Sequence, residues 1–136
     1  MQVDDQRLRR LAALLGLGAA AFGIPPVVAP GFFCRLFGIE VRRQPTIEAV
    51  CRSIGVRDVV LGLGLWSAAV HDDRMAPWLL ARALTDSGDA VATFIAIGQG
   101  ERRPRFIGLS MLALGASIYG AVLWLAAQRS KSARVP

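Results

Sequence analysis

Six charged residues stand inside two long apolar stretches of this chain: Arg52, Arg57 and Asp58 in the first, and Arg82, Asp86 and Asp89 in the second. Read as antiparallel helices over 47–70 and 76–98, joined by a turn at His71, Asp72, Asp73 and Arg74, the stretches set Arg57 level with Gly88, Asp58 with Ser87 and Arg52 with Thr93. Each Asp of the second helix is then within reach of an Arg of the first, and Arg82 and Asp86 can also pair along one helix at i, i+4. A charge at mid-bilayer costs about 2.5–3.5 kcal/mol, so pairing is expected, three Arg against three Asp.

Such a cluster supports acid-base chemistry. Two carboxylates close together in a low dielectric resist ionising at once, so one would keep a proton while the other stays charged beside Arg. Asp86, Asp89 and Asp58 would supply acid and base, and Arg57, Arg82 and Arg52 would hold developing negative charge. That suits isomerisation, cyclisation or epoxide opening of a lipophilic small molecule arriving from the bilayer. Proton-coupled transport would use the same residues differently, with Asp86 or Asp89 exchanging a proton against substrate. A third reading is structural, the network fixing how two helices register. Asp86 and Asp89 at i, i+3 could share a divalent ion, but neighbouring Arg neutralise them and no third acidic ligand is near. Neither a metal nor a cofactor is expected.

The elements that must position these residues follow from composition. The chain has 136 residues, 54% of them hydrophobic, with a mean hydropathy of +0.45, richer than the about 45–50% of a soluble domain. The stretches 11–30 and 106–128 carry no charge and approach the roughly 20 residues that span hydrocarbon. We therefore expect one integral membrane domain over 1–136, all-α, a four-helix transmembrane bundle with helices at about 11–28, 47–70, 76–98 and 106–128. Membrane lipid is its surroundings, and a bacterial cytoplasmic membrane its expected location. Between Pro30 and Pro45, Phe32, Phe33, Leu36 and Phe37 alternate with Arg35, Arg42 and Arg43, the pattern of a short interfacial segment with rings at headgroup level. Pro25 and Pro26 should kink or end the first helix. Thr46 is the expected N-cap of the second, with Glu48 in its first turn. The segment from Arg129 to Pro136 reads as a disordered tail.

Small residues mark packing faces. Ala12, Gly16, Ala20 and Gly23 share one face of the first helix, and Ser110, Ala113, Ser117 and Ala121 one face of the last. These faces would suit a homodimer as well as packing within the chain.

Other chemistry is excluded. Cys34 and Cys51 form no CxxC or Cys/His cluster and read as buried inert thiols. His71, the single histidine, lies in a turn without a nucleophile partner. The Gly-Leu-Gly segments at 16–18 and 62–64 follow no strand and precede no Lys-Ser/Thr, so they are not phosphate loops. The net charge of +6 comes from short Arg clusters beside apolar runs, which suits lipid headgroups and excludes a nucleic-acid platform. Arg7, Arg9 and Arg10 before Leu11 imitate a signal peptide, but the apolar run continues to about Val28. Four spans put both termini on one side. Arg7, Arg9, Arg10, Arg74, Arg129, Lys131 and Arg134 then oppose Arg35, Arg42, Arg43, Arg102, Arg103 and Arg105, too small a difference to set orientation.

The segment Arg52-Ser53-Ile54-Gly55-Val56-Arg57-Asp58-Val59-Val60-Leu61-Gly62, followed by Arg82-Ala83-Leu84-Thr85-Asp86-Ser87-Gly88-Asp89, resembles a domain-of-unknown-function family. Its members are small four-helix integral membrane proteins of bacteria and fungi, with R-x-x-G-x-R-D-x-x-x-G followed by R-x-x-x-D-x-x-D. The resemblance runs from about Phe22 to Ala127. It implies membrane residence and four helices, and marks Arg52, Gly55, Arg57, Asp58, Gly62, Arg82, Asp86 and Asp89 as motif positions. It carries no activity.

Overall fold

The computed structural model describes residues 2–39, 44–71, 74–101 and 103–132, and among them there is no strand. Five helices follow one another: α1 (Gln2–Val28), α2 (Pro30–Leu36), α3 (Pro45–Val70), α4 (Ala76–Gly98) and α5 (Pro104–Ser132). Three are long and apolar enough to cross a membrane, within Asp5–Val28, Pro45–Val70 and Pro104–Arg129. Helix α4 is 23 residues long, but Arg82, Asp86 and Asp89 fall near its middle, and no 18-residue window of it escapes them.

The helix ends differ from expectation for local reasons. Helix α1 starts at Gln2 rather than near residue 11, because an acidic first turn that includes Asp5 suits the positive end of a helix dipole. Pro25 and Pro26 stand in its last turn and the helix ends at Val28, as expected, with the Ala29 N–H donating to the Pro25 carbonyl at 2.8 Å. Pro26 is buried, its ring set against Gly55 of α3. Thr46 is not the N-cap of α3. Pro45 takes the first helical position after Gln44, where its missing N–H costs no hydrogen bond. At the other end of the chain α5 stays helical through Arg129 to Ser132, so that part of the expected disordered tail is ordered. The rest of that tail, 133–136, lies outside the described residues, as do Arg42, Arg43, Asp72, Asp73 and Arg102.

The expected interfacial segment contains α2. Pro30 opens it, and Gly38, with φ +78, ends it in a conformation that L side chains avoid. Phe33 and Phe37 pack against neighbouring rings. Their rings stack edge-on with each other, 4.9 Å between centroids, and Phe33 meets Phe22 of α1 at 5.4 Å. Phe32 is exposed.

Two antiparallel pairs make up the packing. In the first, α1 and α3 touch backbone to backbone: a Cβ at Gly16 would lie 2.6 Å from the Gly62 carbonyl oxygen, and one at Gly23 2.6 Å from that of Gly55. In the second, the Ser87 and Ser117 hydroxyls lie 2.7 Å apart, and Gly120 faces Ala83 across α4 and α5. Both small-residue faces are thus occupied within the chain, so a homodimer would have to use other surfaces.

The pairs join through a seam between α3 and α4 whose two halves are unlike. Toward His71 it is sealed by Leu8, Ala12, Leu65, Ala68, Ala69, Leu79 and Leu123, drawn from all four long helices, with Trp78 lying over Gly64. Toward α2 it is not sealed. No described residue of α3 before Gly55 is buried, and none of α4 after Ala90.

Candidate functional site

Where the sealed half of the seam gives way to the open half, the charges meet. Asp58 lies near the middle of α3 and Asp86 near the middle of α4, where helical spacing from Trp78 through Arg82, Asp86 and Asp89 keeps one stripe turned to α3. Arg82 grips Asp86 along the helix through two parallel bonds, its Nε donating to Oδ2 at 2.9 Å and its Nη2 to Oδ1 at 2.5 Å. Its Nη1 crosses the seam and donates to Asp58 Oδ1 at 2.9 Å. Arg57 donates to the same Asp58 oxygen from Nη2 at 3.1 Å and reaches over to Asp89 with a second fork, 3.2 Å and 2.6 Å. The result is a chain of five groups: Asp86, Arg82, Asp58, Arg57, Asp89.

Burial is graded along that chain. Asp58, Arg82 and Asp86 are closed off, Asp86 to 2% exposure. The side chains of Arg57 and Asp89 keep 31% and 34% of their surface. The inner three groups are buried and held from both helices, whereas the outer fork is a two-point contact at the edge of the open half. Two apolar positions continue the α3 side of the seam beyond it by helical spacing, Ile54 and Val50, both exposed. On α4 the corresponding position is Thr93, whose hydroxyl donates back to the Asp89 carbonyl at 2.8 Å.

Arg52 is elsewhere. It pairs with Glu48 at 3.6 Å in the first turns of α3, and half of its side-chain surface is free. The expected balance of three against three therefore fails at the cluster. Three carboxylates meet two guanidiniums among the described residues, an excess of one negative charge. The signal for Arg52 was present in the sequence: Glu48 and Arg52 stand at i, i+4, a spacing that makes such pairs on any helix surface.

Two other sites bear on the reading. An apolar groove of about 250 Å³ runs along α1 and α3, lined by Ile24, Val27, Val28, Val56, Val59 and Val60, and no member of the ion cluster lines it. Cys34 of α2 and Cys51 of α3 bring their Sγ atoms to 2.7 Å, a contact that no motif or periodicity announces. Burial, with the Cys51 contact next, pushes the Cys34 thiol up to about 12.

Among known proteins, the chain matches the family described as Domain of unknown function (DUF4267) over residues 16–128, which include every member of the cluster. No curated protein and no solved structure matches.

Proposed function

We infer that this chain, which belongs to the DUF4267 family of unknown function, is a four-span membrane protein that binds a lipophilic small molecule at the open half of the α3–α4 seam. In this reading α4 is the fourth span, its three charges carried across hydrocarbon by the partners that α3 supplies. The observation that carries the reading is the graded burial of the cluster. A closed, doubly anchored ionic floor supports an outer Arg57–Asp89 fork where burial along the seam gives out, with exposed apolar positions beyond it. A molecule with a polar head and an apolar body would set its head against the fork and leave its body toward lipid. Arg57 would then hold negative charge on the head, and Asp89 would give or take a proton, the minimum for acid-base chemistry on an enolisable or epoxide-bearing ligand.

One observation favours a proton-coupled variant of the same site. The cluster holds one carboxylate more than its guanidiniums neutralise, and an unmatched charge near the middle of two membrane helices is offset by a proton or a cationic ligand. In that variant the proton leaves as the ligand enters.

The test is native mass spectrometry of wild type and Asp89→Asn in the same detergent, alongside thermal unfolding. A lipophilic molecule retained by wild type and lost by the variant, with melting temperatures within a few degrees, is the expected result. A variant that melts far below wild type, neither protein carrying a ligand, would reduce the cluster to a packing device.

A further inference from the structure

We propose that Cys34 and Cys51 are a redox site: a thiol pair that closes to an intrachain disulfide by exchange with an external disulfide oxidant, tying the short helix α2 to the start of α3.

The geometry comes first. The two residues lie 17 apart in sequence, on separate helices, and their Sγ atoms stand at 2.7 Å, roughly 0.7 Å from bonding distance. Neither sulfur has a metal-binding neighbourhood; among the described residues no cluster of His, Cys, Asp and Glu could hold an ion. The pair is also asymmetric. Cys34 is wholly buried, whereas Cys51 keeps partial exposure, so an oxidant meets Cys51 first.

The placement of α2 makes the link consequential. It is seven residues long, and its neighbours hold it from several sides: Phe33 against Phe22 of α1, Cys34 against Cys51 of α3, and Gly38, just beyond it, whose carbonyl accepts from Arg103 at the start of α5. Two of these holds are a ring contact and a hydrogen bond. The third is the one that can become covalent.

The chemistry balances with one oxidant. The Cys51 sulfur attacks one sulfur of the external disulfide, forming a mixed disulfide and expelling the first thiol, which takes the Cys51 proton. The Cys34 sulfur then attacks Cys51 Sγ, expels the second thiol and passes its proton to that leaving group. Two thiols of the chain are oxidised, and one external disulfide is reduced to two thiols. The raised Cys34 thiol is not the initiator, and the part of that rise which Cys51 causes is removed once Cys51 carries the mixed disulfide, leaving Cys34 placed to resolve it.

The experiment uses the full-length folded protein in detergent with dithiodipyridine, whose reduction releases a coloured pyridinethione. Wild type is expected to release two thiones per chain and to lose the mass of two hydrogens, retaining no pyridyl adduct, with one proteolytic peptide linking Cys34 to Cys51. Cys34→Ser is expected to release one thione and keep one adduct at Cys51. Cys51→Ser is expected to react only after denaturation. Stable adducts on both cysteines of wild type, or disulfide-linked dimers on a non-reducing gel, would overturn the proposal. So would a folded wild type that stays unreactive while its denatured form reacts.

Discussion

Asp58 is the keystone of the cluster, since one of its oxygens accepts from Arg57 and from Arg82 across two helices. Replacing it by Asn leaves two guanidiniums sharing a neutral amide, and Arg82 is buried. Arg82 keeps its fork to Asp86 and Arg57 its fork to Asp89, so no guanidinium is stranded, and the cost is that of the charge-assisted bonds Asp58 accepts, about 1.5–3 kcal/mol. Asp58→Asn is therefore expected to lower the melting temperature in detergent far more than Asp89→Asn, which faces one guanidinium and keeps a third of its surface. Arg52→Ala should change stability by less than about 0.5 kcal/mol, because the pair it forms with Glu48 is exposed. An Arg52→Ala that destabilises as strongly as Asp58→Asn would return Arg52 to the network. At this scale the sequence was largely legible. Five of the six charged positions meet, and near the predicted register: Arg57 was set level with Gly88 and binds Asp89, and Asp58 was set level with Ser87 and meets Arg82, which has turned to reach it while holding Asp86. What periodicity could not resolve was competition. Arg52 had two candidate partners, an Asp across the seam and a Glu one turn away, and the local one holds it.

Among the elements, α1 and α3 carry the tightest contact. A Cβ at Gly62 would fall 2.5 Å from the Ala20 nitrogen and the Gly16 carbonyl oxygen, and both are backbone atoms that cannot rotate away. Gly62→Ala is expected to cost at least the about 1–3 kcal/mol of an overpacked core. Gly115 on α5 has nothing within 4 Å of the same construction, and Gly115→Ala should be neutral or stabilising by up to about 1 kcal/mol through helix propensity. Parallel unfolding curves of the two variants check both, and equal melting temperatures would contradict the close approach. The small-residue spacing of α1 was visible in the sequence because period 3.6 leaves Ala12, Gly16, Ala20 and Gly23 on one side. Its partner was not, since a stripe says that something comes near without saying what. Pro25 and Pro26 cannot donate to the carbonyls of Ala21 and Phe22, and the helix runs only to Val28 beyond them, while Pro26 fills space that Gly55 leaves empty.

For the whole molecule, the seam divides two well-packed pairs, and α4, read as the proposed fourth span, would rely on α3 for the partner of Asp89 and the second partner of Arg82. Arg82, Asp86 and Asp89 each add about 2.5–3.5 kcal/mol to insertion of an isolated helix. In a glycosylation-mapping assay, α4 alone is expected to fail to insert, whereas α3 and α4 in tandem should insert. Leu in place of the three charges should restore insertion of α4 alone. Full insertion of unaltered α4 by itself would contradict the mutual neutralisation inferred here. The chain's hydropathy announced α1, α3 and α5 plainly. The sequence reading set 76–98 beside them as a fourth span, but the three charges of α4 keep its hydropathy below that of the other three, since an average along one helix cannot register that a neighbouring helix answers them.

The excess carboxylate has an electrical meaning. It lies near the midpoint of both helices that hold it, so a proton reaching it from either face would cross about half of the membrane field. A full crossing is worth about 2.3 kcal/mol per charge per 100 mV, and half of it ~1.1 kcal/mol. Under the proposed proton-coupled reading, protonation of the cluster, and any ligand exchange tied to it, would then respond to voltage as well as to pH: an energised membrane would fill the site from its positive side and empty it toward the negative.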